Sequence, residues 1–284
     1  LGIDPGSIRV VRPNSLESLP GNSPVGSRMA IMLGGAAARA AEKLKAKIIA
    51  IAAHHLKCDA TSIDYQGGAM LTANGRHITW DDIIESAHRQ IHRLPDGMDP
   101  GLASFDIMQV PTGGDLPKDG KVHMYPCYSF EFHLVLVAFD PIIGKPEIRS
   151  YTIGHDCGTV INPAIVSGMT YGGIAHGIGA ALLEEFAYDE SGQLMTQSFL
   201  DYLMPSSHEV PDIQLVKHCT PSPHTVFGQK GSGESGYLGA PAAISSAINH
   251  AVAGLDISFD KLPIRMSVIS DKIAAATHHR SDSE

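Results

Sequence analysis

The sequence predicts an α+β fold in two subdomains, residues 1–120 and 121–284, and three stretches carry that prediction. An alanine-rich run from Met29 to about Leu56 has the composition of one long helix. Residues 128–139 alternate and then run apolar, Asp140-Pro141-Ile142-Ile143-Gly144 turns the chain, and residues 147–153 return, which is the pattern of a β-hairpin. A glycine-dense loop, residues 227–236, opens onto a helical run at 240–252. With 284 residues, 43% hydrophobic and 18% charged, the chain can bury a substantial core.

The remaining elements follow in order. The chain begins Leu1-Gly2 and then Asp4-Pro5, a helix-ending pattern, so the reading is of a chain continuing from an upstream helix in a longer or split polypeptide. Residues 8–11 read as a short strand and 13–24 as a proline-rich polar loop. After the long helix, residues 62–65, 70–71 and 77–79 read as short strands, leading to an amphipathic segment at 80–91. Residues 94–121 are expected to form an extended arm over a neighbouring surface, or a linker. A loop at 155–163 precedes a helix at 164–186 that carries glycines at 168, 172, 173, 177 and 179. Each costs about 1 kcal/mol relative to alanine, so either something approaches that backbone closely or the helix breaks there. His176 is placed at the break, with a packing histidine as the alternative. Residues 194–202 read as extended, 213–219 as a strand, 257–263 as extended, 267–275 as a short helix and 278–284 as a solvated tail.

Composition excludes several classes of function. A net charge of −9 provides no basic footprint for nucleic acid or an anionic membrane. No apolar run approaches the roughly 20 residues that span a bilayer, and no signal peptide is evident, so a cytoplasmic location is expected. The cysteines at 58, 127, 157 and 219 form no C-x-x-C pair, and the 15 histidines are scattered, so no metal held by protein ligands is expected.

Chemistry concentrates in Phe227-Gly228-Gln229-Lys230-Gly231-Ser232-Gly233-Glu234-Ser235-Gly236. Its glycines allow tight turning and close approach to a bound group, and a following helix would aim N–H groups at an anion. A plain helix-capping loop is the competing reading. Spacing also matches the dinucleotide fingerprint, but no strand leads directly into the loop, which argues against that fingerprint. Glu234 is the odd member: a carboxylate loses Coulomb energy at an anion site, whereas one whose pKa is raised in a closed pocket is a usable general base. Gly26-Ser27-Arg28 precedes the long helix and is either a serine cap with a solvated arginine or a second anion site. Together with the stretch around His176, these glycine-bearing helix starts suit an extended polyanionic cofactor.

Four motifs in this order, Gly26-Ser27-Arg28, the loop from Asp156 through Asn162 and Pro163, Gly172 to Gly179, and Lys230 to Gly236, resemble the molybdenum hydroxylases of the xanthine oxidase family. They are most similar to bacterial molybdopterin-binding large subunits related to aldehyde oxidoreductase and aerobic carbon monoxide dehydrogenase. The resemblance covers nearly the whole chain. It implies the second molybdenum-binding half of such a subunit, with mixed sheets flanked by helices. The implied cofactor is a molybdopterin, in the cytosine dinucleotide form, whose dithiolene holds the molybdenum. By position, Gly26, Ser27, Arg28, Asp156, Asn162, His176, Gly177, Lys230, Gly231, Ser232 and Gly233 are implied cofactor contacts, although several relatives have glutamine where His176 stands. Glu234 matches the catalytic base, which would deprotonate a molybdenum-bound hydroxyl so that its oxygen attacks a substrate carbon and hydride passes to a sulfido ligand. Implied partners are the first molybdopterin-binding half, an iron–sulfur subunit and an FAD subunit, in a complex that dimerises. The implied substrate is a small molecule, an aldehyde or nitrogen heterocycle; the chain alone would be inactive. A cofactor-carrying or structural subunit without turnover is the alternative.

Overall fold

The computed structural model describes residues 1–12, 14–16, 25–65, 70–109, 119–121, 125–140 and 142–281. The chain divides into two compact units, one comprising Leu1–Pro24 and Met29–Pro111, the other Val25–Arg28 and Thr112–Glu284.

The first unit is built on α1 (Met29–Leu56), the uninterrupted helix that its alanine content favours. Its second half builds the core: Ile48, Ile51, Ala52 and Leu56 recur at helical spacing and pack with Leu71, Ile78 and Ile83. Those last residues come from a three-stranded antiparallel meander, β1 (Asp64–Tyr65), β2 (Met70–Ala73) and β3 (Arg76–Thr79), and from α2 (Trp80–His88). Thr79 and Asp82 form a reciprocal capping box at the start of α2. The first half of α1 is covered differently. Asp106, on the irregular arm, binds Arg39 at 3.1 Å and Lys43 at 2.7 Å, while Ser104 donates to the Ala40 carbonyl. The arm thus lies along α1, as one reading of residues 94–121 expected; residues 110–118 lie outside the described part. The strand expected at 8–11 is absent: no strand pairs with it among the described residues, and the local feature is a single 3-10 turn, Pro5–Ser7, capped by Asp4.

The second unit carries β4 (Phe130–Asp140) and β5 (Lys145–Asp156), the expected hairpin, with β6 (Ile213–His218) added parallel to β5. Behind this sheet pack α3 (Pro163–Leu182), α4 (Ala240–Ala251) and α5 (Met266–Ser281). The core joins Tyr151 and Ile153 of β5 to Ile174 and Ile178 of α3 and to Ile244 and Ile248 of α4. Strand β4 inverts the usual amphipathic sense at its start: Glu131 and His133 point inward, whereas Phe130, Phe132, Leu134 and Leu136 are exposed. The extended run expected at 194–202 contributes only a bridge, Tyr188 to Leu194, and a turn. The C-terminal helix runs to Ser281, longer than the 267–275 expected, so most of the expected tail is helical.

Helix α3 is not broken at its glycines. Asn162 caps it by accepting from Ile165 N at 3.1 Å, and Pro163 occupies the first turn, where no N–H is needed. Close approach instead explains Gly173, Gly177 and Gly179, whereas Gly168 and Gly172 face open space. A Cβ on Gly173 would collide with the Ser235 carbonyl, and one on Gly177 would lie 2.5 Å from the Ala240 Cβ. The helix start expected near His176 is therefore absent: His176 sits within a continuous helix. Truncating the packed side, Ile178→Ala, is expected to destabilise the chain by about 2–5 kcal/mol, read as a lower urea midpoint at unchanged slope. A Gly177→Val change in the same helix should cost at least as much, because backbone and Ala240 must both move.

Candidate functional site

The end of β5, the turn after β6 and the base of the loop converge on one buried carboxylate. Asp156 Oδ1 accepts from the Gly158 amide at 2.8 Å and the Thr220 amide at 3.1 Å, and Oδ2 accepts from the Thr220 hydroxyl and from Lys230 Nζ at 3.1 Å. Lys230 Nζ also donates to Thr220 Oγ1 at 2.7 Å and lies 5.2 Å from the centre of the Phe130 ring. Burial would raise the Asp156 pKa, but hydrogen bonds from Thr220, Gly158 and Lys230 outweigh it and hold the carboxyl well below the usual range. The backbone continues the fastening: Lys230 N donates to Cys157 O at 2.7 Å and Thr159 N to Gly228 O at 3.1 Å. Asp156 and Lys230 therefore engage one another, at the root of the loop.

From that root the loop rises to Glu234. Ser27 Oγ donates to Glu234 Oε2 at 2.7 Å and accepts from the Glu234 amide at 3.1 Å, although the two residues are 207 positions apart. Gly26 and Ser27 both have positive φ, 68° and 57°, an uncommon conformation for serine that accompanies its two hydrogen bonds with Glu234. Close packing accompanies it: a Cβ on Gly231 would lie 2.5 Å from the Ser27 carbonyl, and one on Gly233 would be 3.2 Å from Ser27 Oγ. Among the described residues, the closed pocket expected around Glu234 does not form. Glu234 is exposed, and Ser27 engages one of its two carboxylate oxygens. Nor does the loop open straight onto a helix; turns at 233–239 intervene, and α4 begins at Ala240 without a side-chain cap.

The other expected positions are distributed around this loop. His176 is exposed on α3 and stacks on Tyr237, with ring centres 4.2 Å apart and planes 20° from parallel. Gly177 packs against the Ala240 end of the same segment. Ser232 and Ser235 share a 2.9 Å hydroxyl contact. Arg28 is half-buried beside Ser27 in the chain. The Asn162 side-chain oxygen caps α3.

The sequence reading missed the support beneath the loop. Glu131 Oε1 accepts from the Gly236 amide at 2.8 Å, and its other oxygen lies 3.3 Å from His133 Nε2. His155, buried, reaches Ser235 Oγ at 2.9 Å through Nε2, and burial chiefly lowers its pKa. The only available signal was a pair of polar residues, Glu131 and His133, alternating with aromatic ones in a strand.

What can bind here is set by the donor set: backbone amides beside glycines and serine hydroxyls around one exposed carboxylate, with Arg28 next to Ser27 in the chain. Such donors fit a phosphate-bearing organic group better than a bare ion. His88 and His92 are four residues apart, but α2 ends at His88, so they do not share a helical face. Among the described residues no cluster of His, Cys, Asp or Glu could hold a metal, so a metal at this loop would have to bring its own ligands. Among them, also, no helix is long and apolar enough to cross a membrane.

A family model described as a molybdopterin cofactor-binding domain matches residues 1–211. The chain is 33% identical over 279 residues to the nicotine 6-hydroxylase large subunit of Paenarthrobacter nicotinovorans, covering 98% of this chain and 32% of that protein. Its structure is similar to that of the Cu,Mo-CO dehydrogenase, with a TM-score of 0.79 and 28% identity over 94% of this chain and 32% of the other. It is also similar to quinoline 2-oxidoreductase from Pseudomonas putida 86, with a TM-score of 0.74 and 32% identity, covering 87% and 30%. The chain therefore spans about a third of the length of these relatives.

Stability should report the buried pair. Asp156 has a depressed pKa in the folded state, so its contribution is fully present above the unfolded carboxylate pKa of about 3.9 and is lost as pH falls from there toward the lower folded value. The lowered pKa of His155 acts in the same direction from pH 6.5 downward, because the unfolded imidazole takes up its proton first. Urea midpoints are expected to decline below pH 6.5 and again in the carboxylate range. Asp156→Asn strands the Lys230 ammonium, and should cost about 3–5 kcal/mol at neutral pH while removing most of the lower step.

Proposed function

We propose a function from this premise: the chain belongs to the molybdopterin cofactor-binding domain family, and it serves as the part of a molybdenum hydroxylase that carries the general base. The observation that carries this reading is the junction of Gly26 and Ser27 with residues 231–234, where Ser27 holds one oxygen of an exposed carboxylate. Gly26, Ser27, Arg28 and the amides of Gly231, Ser232 and Gly233 would hold the phosphate and pterin of the cofactor, with His176 and Gly177 beside them. Lys230 and Asp156 would act from below, by fixing the loop. Bound molybdopterin, in the cytosine dinucleotide form, would supply a redox-active centre that accepts the electrons of the oxidation.

Within that site, Glu234 Oε1 takes the proton from the oxygen nucleophile. Ser27, bonded to Oε2, keeps the carboxylate turned so that Oε1 faces the reacting groups. Exposure of Glu234 in this chain is consistent with a pocket completed by the first molybdopterin-binding half, on an upstream segment or a separate chain. The exposed apolar row of Phe130, Phe132, Leu134 and Leu136 supports the need for such a covering partner. Iron–sulfur and FAD partners would carry the electrons away in a cytoplasmic complex that dimerises, and the isolated chain would be inactive. Relatives named for nicotine and quinoline favour a nitrogen-heterocyclic carbon as the oxidised position over an aldehyde.

In the assembled complex, Glu234→Gln should lower kcat by about 10²–10⁴-fold with molybdenum content unchanged by elemental analysis. Undiminished turnover would remove the catalytic role and leave a cofactor-carrying subunit.

A further inference from the structure

Strand β4 buries a carboxylate and an imidazole where core packing alone would place apolar residues. Side-chain exposure is 14% for Glu131, 6% for His133 and 2% for His155. Glu131 and His155 are direct cross-strand partners in the β4–β5 register, so their side chains emerge side by side on the face that meets the loop. Taking such groups out of water is costly unless their hydrogen bonds are satisfied. Each of these is satisfied, and the partners lie on or under the loop. Glu131 Oε1 holds the Gly236 amide, and His155 Nε2 holds the Ser235 hydroxyl, which in turn meets Ser232. His133 completes the set by bridging Glu131 Oε2 to the Tyr151 hydroxyl, at 3.3 and 2.7 Å. The anchored residues flank position 234 on both sides. Gly236 itself is fixed at φ +83°, where an added Cβ would collide with the Thr170 carbonyl, so the loop has no slack on that side.

We propose that Glu131 is a positioning residue for the reaction, which acts through the Gly236 amide and, with His155 and Ser235, sets the backbone from which Glu234 projects. This rests on the role proposed above for Glu234. Ser27 orients the carboxylate from one side; the Glu131 cluster fixes the main chain beneath it. The titratable groups facing Glu131 are His133 on its own strand and Tyr151 and His155 on β5. Burial would push the Glu131 carboxyl up, but bonds from His133 and the Gly236 amide together with the adjacent imidazoles hold it low, so it stays an acceptor.

The test uses the assembled, molybdenum-loaded complex with Glu131→Ala and Glu131→Gln, and Glu234→Gln as the control. Amide hydrogen exchange in the peptide spanning 231–239 reads the anchoring independently of turnover. Glu131→Ala is expected to speed exchange at Gly236 and to lower kcat by about 10–100-fold, the scale of a small misplacement of a catalytic group, with KM and molybdenum content unchanged. Glu131→Gln, whose amide oxygen can still accept from Gly236, should restore slow exchange and most of kcat. Unchanged exchange and unchanged kcat in Glu131→Ala would overturn the proposal, as would a loss of kcat matched by loss of molybdenum in both variants. If Glu234→Gln keeps full turnover, the base assignment fails instead, and faster Gly236 exchange in Glu131→Ala then still establishes the anchor alone.

Discussion

One buried ion pair roots the functional end of the second unit. Because β5 and β6 run parallel, their C-terminal ends emerge together, and Asp156 at the end of β5 can collect donors from the turn after β6 and from the loop. A buried carboxylate would be a liability without those partners. With them, it becomes a fixed point: four donors, from Gly158, Thr220 and Lys230, meet two oxygens, and the loop can leave the sheet in only one place. Lys230 thus contributes by what it fastens.

Above that root, the loop is held by three different kinds of contact. Helix α3 offers a glycine face so close that Ser235 and Ala240 touch its backbone. Glu131 and His155 supply polar anchors from the sheet, and Ser27 ties the tip to a segment far away in sequence. The tip, Gly233 and Glu234, remains exposed, as does Phe227 at the start of the loop. That division suits catalysis by pre-organisation, in which the reacting group is held in place before substrate arrives. It also accounts for an ordered loop whose tip carboxylate stays exposed in a chain that spans about a third of the length of its relatives.

Much of this was legible in the sequence, for physical reasons. Local patterns were strong where an element depends on its own residues: the alanine-rich α1, the β4–β5 hairpin, and α4 after the glycine loop all fall where composition and periodicity place them. Glycine content was read correctly as a sign of intimacy around α3, but the choice between close approach and a break needed the opposing Ser235 carbonyl, which lies some sixty residues on. Residues 8–11 have strand composition without a strand partner among the described residues. The pairing of Asp156 with Lys230, and of Ser27 with Glu234, spans 74 and 207 positions, distances at which no local signal operates. Glu131 was least legible of all, since its strand alternates in the sense opposite to an ordinary half-buried sheet.

Anomalous scattering at the molybdenum edge from crystals of the assembled complex would locate the metal relative to this loop most directly. A peak on the Glu234 side of the loop, with Ser27 still bonded to Oε2, is the predicted result. A peak on another face of the unit, remote from residues 27 and 234, would contradict the assignment of the loop as the seat of the chemistry.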